Sequence, residues 1–429
     1  MAASGVPATL APPPSGGARP EDAFDDPEDV LAAILDPQRR GELYPLYHAM
    51  RALSPIHHTS NERLHHAWVL TRFDDSMQVY LNPQAINDPA TAEIYRNGGS
   101  EGAFYQTMRA MMLFLDSPEH DRLRRLVIRS FTPRAIERLR PLTQAVADEL
   151  ADAVATDGEM ELVSQYAYPL PIRVIAHILG IPPSDHGIIE ALAWDFARAG
   201  DPSALTPEIV RKGDDAALGF QDYFGRMIHE RRLEPRDDVL SALVSAEEDG
   251  VGLSRHEIVA TAVLLMQAGH ETTADLIGNS IIGLLRHPDQ LALLQREPEL
   301  TKVATEEFLR YDGSVQVNHR LLREDMRLGD VVIPAGDVAL IFLGAANRDP
   351  ARFAEPDRLD VRRAPAPHLA LSYGAYYCVG ASLARTEVHV GVRTLVERFG
   401  GLDAASEAFQ WRNTLTLRGP AELHLRWDR

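Results

Sequence analysis

Apolar residues recur at three- and four-residue spacing along most of the chain, and that period predicts a mainly helical protein. Helices are expected over residues 41–53, 118–130 and 134–155, with several more between 170 and 232. The longest pattern opens at Ser254-Arg-His-Glu257, where the spacing lets serine and glutamate satisfy each other's exposed amides. It can continue to His287, where Pro288 stops it. About thirty-three residues at 1.5 Å each reach roughly 50 Å, enough to cross a whole domain. A last helix is expected over residues 381–399, ended by Gly400-Gly401.

Strand signals are few. Trp68-Val-Leu-Thr71 reads as one strand, and residues 331–340 as two strands around Pro334-Ala-Gly336. Residues 83–113 mix Asn, Pro and Gly with Tyr, Phe and Met, which predicts a long loop with apolar contacts. The expected class is mainly α with small β-sheets.

No internal repeat or low-complexity linker interrupts the chain after its start. Residues 1–22, rich in Ala, Pro and Gly, are expected to be a disordered arm, and 23–429 one domain. The arm has no basic start and no apolar stretch of the signal-peptide kind. The longest apolar run, residues 258–268, is too short for a bilayer, so a cytoplasmic protein is expected with no membrane partner. A net charge of −19 repels a polyanion and excludes a nucleic-acid partner. The single cysteine excludes an intramolecular disulfide.

That cysteine sits in Leu371-Ser-Tyr-Gly-Ala-Tyr-Tyr-Cys-Val-Gly380, directly before a helical pattern. Gly374 and Gly380 allow tight turns and close approach of the backbone to something flat. A cysteine at a helix start faces unpaired amides and the positive end of the helix dipole, which favours thiolate. Such a thiolate suits an axial iron ligand. A nucleophilic cysteine and an inert buried one are the other readings of the residues alone.

The segment resembles the haem-binding signature of the cytochrome P450 superfamily, Phe-x-x-Gly-x-x-x-Cys-x-Gly. Gly374, Cys378 and Gly380 match it, and Leu371 replaces the phenylalanine. The resemblance implies the cytochrome P450 fold, a haem b cofactor (iron protoporphyrin IX) and Cys378 as the metal ligand.

Other segments carry the same resemblance. In Glu306-Glu-Phe-Leu-Arg310 either glutamate can pair with the arginine across a helical turn. The family's Glu-x-x-Arg pair selects Glu307 and Arg310, and Phe353-Ala-Glu-Pro-Asp-Arg358 supplies Arg358 as the third member of a structural ion-pair triad. In Ala268-Gly-His-Glu-Thr-Thr273, Leu265, Ala268 and Thr272 share one helix face. The resemblance makes Glu271 and Thr272 the acid-alcohol pair that delivers protons during oxygen activation, with Ala268 against the cofactor. His270 has no role in that pattern and is expected in solvent or in packing.

In Ser117-Pro-Glu-His-Asp-Arg-Leu-Arg124, His120 and Arg124 lie four residues apart on one face, suited to carboxylates. The resemblance assigns them, with Arg320, to the haem propionates. Tyr376 stands where the family commonly has His or Arg, so it brings a hydrogen bond but no charge.

The activity implied is monooxygenation, hydroxylation or epoxidation of a small organic substrate, with electrons from a ferredoxin and ferredoxin reductase. Bacterial secondary metabolism is the expected setting. A haem-thiolate peroxygenase is less consistent with Glu271 and Thr272 both being present, and a non-catalytic recruitment module with Cys378 being present. Leu265, Val315, Val317 and Leu415 are the expected pocket residues, and segments 83–113 and 194–208 should contribute. Arg122, Arg125 and Arg129, on the side of their helix opposite His120 and Arg124, form a basic stripe suited to an acidic ferredoxin.

Overall fold

The computed structural model describes residues 24–87, 102–200, 206–248, 251–406 and 409–428. The expected arm at 1–22 lies outside the described residues. The organising element is the Arg255–Arg286 helix. Its N-cap is the anticipated reciprocal box, with Glu257 N donating to Ser254 Oγ at 3.2 Å and Ser254 N donating to Glu257 Oε2 at 2.8 Å. At the other end Pro288 opens the next helix, Pro288–Arg296.

This helix is buried nearly all round at both ends, from Ile258 to Leu264 and from Thr273 to Leu285. A helix apolar on every side belongs in the centre of a fold. Helices Pro169–Ile178, Pro207–Leu233, Thr301–Asp312 and Ala381–Arg398 pack around it. Gly391 brings the last of these close: a methyl there would stand 3.0 Å from Leu170 and 3.2 Å from Ile277. The Gly391 carbonyl also accepts from the Tyr166 hydroxyl at 3.0 Å.

Beside this helical mass lies a five-stranded sheet in the order Ile56–His58, Trp68–Leu70, Val338–Phe342, Val317–Leu322, Ala85–Ile86. Val331–Ile333 and Val338–Phe342 flank the expected turn, where Gly336 takes a positive φ of 91°. The two strands do not pair with each other, because Val331–Ile333 pairs with Met326–Leu328 and so belongs to a different sheet.

Two expected boundaries change. Residues 134–155 form two helices, Pro133–Glu137 and Arg140–Val154. Pro141 has no N–H to donate back into a preceding turn, so it starts a helix and does not continue one. Within 83–113, Ala85–Ile86 is a strand and Ala103–Arg109 a helix, while 88–101 lies outside the described residues. Among the described residues no helix is long and apolar enough to cross a membrane.

Candidate active site

The Cys378 loop is shaped by its backbone. Gly374 has φ +70°, and a side chain there would press against the Tyr80 carbonyl at 2.9 Å. A short 3-10 turn over Gly374–Tyr376 follows, and Cys378 N donates to the Leu371 carbonyl at 2.9 Å, closing the loop. Leu371, in place of the aromatic residue, is buried in the main core. The helix Ala381–Arg398 then begins, and Cys378 is half-buried at its start. Burial pushes the thiol up, while the Gly380 amide and the charges of Arg124 and Arg385 pull it down without overcoming that effect. A coordinated metal ion would hold this sulfur as thiolate outright.

His120 and Arg124 from the Glu119–Ile128 helix and Arg320 from the Val317–Leu322 strand converge on this loop around its own Tyr376. Arg124 Nη2 donates to the Tyr377 carbonyl at 2.6 Å. The His120 ring lies 4.4 Å from that of Tyr376, and Arg320 stands over the same ring at 4.6 Å and over Tyr80 at 4.9 Å. The Tyr376 hydroxyl donates to Asp116, a residue that sequence reasoning missed. Burial holds His120 below the ordinary histidine range, although Asp121 opposes it.

Arg320 bears directly on cofactor fit. It is 1% exposed. Its Nη1 donates to Asn87 Oδ1 at 2.8 Å and to the His319 carbonyl at 2.6 Å, yet buried Nη2 has no partner. A buried guanidinium held only by neutral acceptors is costly and calls for an anion. The carboxylate of a prosthetic group meets that need.

The long helix supplies a second test. In the middle of its otherwise buried length Ala268 is exposed, and Leu265 and Thr272 are half-buried. These residues share one face, so a flat apolar group would find room there over Ala268, between Leu265 and Thr272. Thr272 Oγ1 donates to the Ala268 carbonyl at 2.8 Å, as anticipated for a hydroxyl bonding back along its helix. Glu271 is bound by Arg412, which also reaches Asp275. His270 is buried, with Nδ1 2.5 Å from the Met266 carbonyl and Nε2 3.1 Å from the Tyr168 hydroxyl, which makes it a packing residue.

Glu307 and Arg310 form a buried bidentate pair, at 2.7 and 2.8 Å. Arg358 is not the third member. Its side chain is more than half exposed and pairs with Glu355, whereas Arg363 Nε donates to Glu307 Oε1 at 3.0 Å. The chain turns between the two arginines, and Arg310 takes the carbonyl of Arg358 (3.4 Å) but not its side chain. Glu306 instead pairs with Arg385 and His368, and those hydrogen bonds outweigh burial to bring it to about 2.

The expected pocket residues belong to three different packing clusters. Leu265 packs against the main core and Val315 against the sheet cluster, while Val317 and Leu415 join the cluster of the N-terminal helices. Val317 is only 7% exposed and serves as core there, because strand alternation turns it to the Phe342 side. Residues 201–205 of the expected 194–208 contribution lie outside the described residues. In the basic stripe Arg122 pairs with Glu257, and Arg125 and Arg129 are exposed.

Comparison with known proteins agrees with this geometry. The family model described as cytochrome P450 matches residues 202–402. A cytochrome P450 monooxygenase of Streptomyces venezuelae, PikC, is 37% identical over 90% of this chain and 91% of its own. A polyketide biosynthesis cytochrome P450 of Bacillus subtilis (strain 168), PksS, is 35% identical over 86% of this chain and 92% of its own. The crystal structure of CalO2 superposes with a TM-score of 0.86 at 35% identity, covering 92% of this chain and 98% of that one. Likeness at that level over nine-tenths of the chain, with the family model spanning the long helix, the Glu307–Arg310 pair and the Cys378 loop, leaves one conclusion: the chain is an oxidoreductase that belongs to the cytochrome P450 family, which implies a haem cofactor.

Proposed function

We propose that the protein is a haem b monooxygenase that hydroxylates or epoxidises a small, largely apolar substrate of bacterial secondary metabolism. One atom of O2 enters a C–H or C=C bond, and the other leaves as water with two protons and two electrons. The observation that carries this reading is the buried, anion-seeking Arg320 facing the loop that bears Cys378. Haem, when bound, supplies the activation of dioxygen.

The chain's own residues do the rest. Cys378 ligates the metal, and the Gly380 amide and Arg124 stabilise its negative charge. His120, Arg124 and Arg320 would hold the propionates, with the Tyr376 ring packed against His120 and Arg320. Ala268, small and exposed in the middle of the long helix, would leave room for the haem, and Glu271 and Thr272 would move protons inward. Glu307, Arg310 and Arg363 tie the loops below the site together. Leu265, Val315 and Leu415, each half-buried, line the substrate side. A polyketide-like substrate is supported by the name of the Bacillus relative.

Electrons come from a ferredoxin and its reductase, docking at Arg125 and Arg129, in a cytoplasmic enzyme whose catalytic domain spans 23–429. Charge reversal at both arginines should slow ferredoxin-supported turnover in a salt-dependent way and spare peroxide-driven turnover. The reaction itself is tested by screening a metabolite library for spectral binding, then running the binders under isotopically labelled O2. Product carrying one labelled oxygen is expected. Product labelled only from water or peroxide would refute monooxygenation.

A further inference from the structure

Glu271 shares its cation with a second carboxylate. Arg412 arrives from the C-terminal segment and donates through Nη2 to Glu271 Oε1 and through Nη1 to Asp275 Oδ1 and Oδ2, the latter at 3.2 and 3.4 Å. Glu271 and Asp275 lie one turn apart on the long helix, so one guanidinium holds both. The segment is fixed in place. Arg412 N donates to the Gly419 carbonyl at 3.0 Å, and a side chain at Gly419 would collide with the Asp275 carboxylate. One turn further on, a methyl at Gly278 would come within 2.7 Å of Pro420. Asp275 is the inner member, its side chain 4% exposed against 15% for Glu271.

We infer that Arg412 and Asp275 are positioning residues for Glu271: Arg412 holds its carboxylate away from the Thr272 face, and Asp275 supplies the alternative counter-charge that releases it. The inference rests on the proton-delivery reading of Glu271 and Thr272. With both carboxylates ionised the cluster has one positive and two negative charges, so each anion is held by a shared cation. With Asp275 protonated, Arg412 is left to Glu271 alone and clamps it. Burial pushes Asp275 up to about 7 against the pull of Arg412, so its charge changes near neutral pH. The charged groups facing it are Arg412 across the interface and Glu271 on its own helix, and His270 and Tyr168 stand beyond Glu271.

The test compares haem-loaded wild type with D275N, R412Q, R412K and E271Q. Oxygen uptake is driven by NADPH through a surrogate ferredoxin and reductase on both sides of pH about 7, and the protonated-carboxyl infrared band of the resting protein is followed over the same range. Wild-type uptake should rise as Asp275 ionises, while its infrared band fades. D275N should lack that band, turn over several-fold more slowly and lose the pH step. R412Q should lose the step but stay fast, and R412K should restore it. Wild-type rate and pH step in both D275N and R412Q would overturn the inference. An E271Q enzyme with wild-type rate and solvent isotope effect would instead remove the Glu271 reading, and this inference with it.

Discussion

Arg363 Nε donates to Glu307 Oε1 at 3.0 Å, on the carboxylate that also receives both arms of Arg310. The guanidinium of Arg363 further reaches the carbonyls of Ala354, Glu355 and Arg358, so it stitches the irregular chain before the Cys378 loop to the Thr301–Asp312 helix. Removing one member of a buried ion pair strands the other. Glu307→Gln and Arg310→Ala should each cost roughly 3–5 kcal/mol of stability. Arg358→Ala should stay within about 0.5 kcal/mol, as an exposed substitution. Urea unfolding midpoints of the holoenzymes check the ranking, and an Arg358 variant as damaged as Arg310→Ala would contradict it.

Much of this was legible because it is local. The capping box, the Glu307–Arg310 spacing and the Gly374-Cys378-Gly380 run each depend on residues within a turn or two of one another. Helical period set His120 and Arg124 on one face, and the family resemblance gave them their role. Arg363 was missed because the turning, irregular chain after Phe353 has no period to read, so motif spacing selected Arg358. Arg412 and Asp275 are 137 residues apart, and only the docking of the C-terminal segment joins them. Asp116 had no signal of its own. The pocket assignment overreached at Val317, whose strand face is decided by register with Val338–Phe342.

Thr272 provides the proton-delivery test. Thr272→Ala should bind substrate and consume reductant at near wild-type levels while releasing several-fold more peroxide per product. The ratio of product to reductant consumed is the measurement, and unchanged coupling would remove Thr272 from the mechanism.

Cofactor retention should depend on Arg320 more than on Tyr376. Arg320→Leu removes the buried cation facing the propionates and should speed haem transfer to a scavenger by tenfold or more, since a lost charge-assisted bond of about 1.5–3 kcal/mol corresponds to at least that factor. Tyr376→Phe removes only a hydroxyl turned to Asp116 and should change the transfer rate little.

Acid lability has a named contributor. Burial, then the neighbouring charge of Arg320, depresses His319 to about 4 from 6.5. The unfolded chain therefore binds a proton between those values that the native protein does not. The associated stability is complete above pH about 6.5 and is lost as pH falls toward 4. His319→Gln should remove that slope, worth at most about 3 kcal/mol at 1.36 kcal/mol per pH unit. Thermal midpoints measured from neutral pH downward should fall less steeply in the variant than in the wild type, and parallel curves would refute the assignment.

The central claim is that Cys378 ligates haem iron as a thiolate. The direct measurement is the absorption spectrum of the reduced carbon-monoxide complex of the purified protein. The account predicts the thiolate-type Soret band in the wild type and its loss in Cys378→Ser, even where that variant keeps haem. A fully folded wild type that takes up no haem, or that shows the band unchanged in Cys378→Ser, would contradict it.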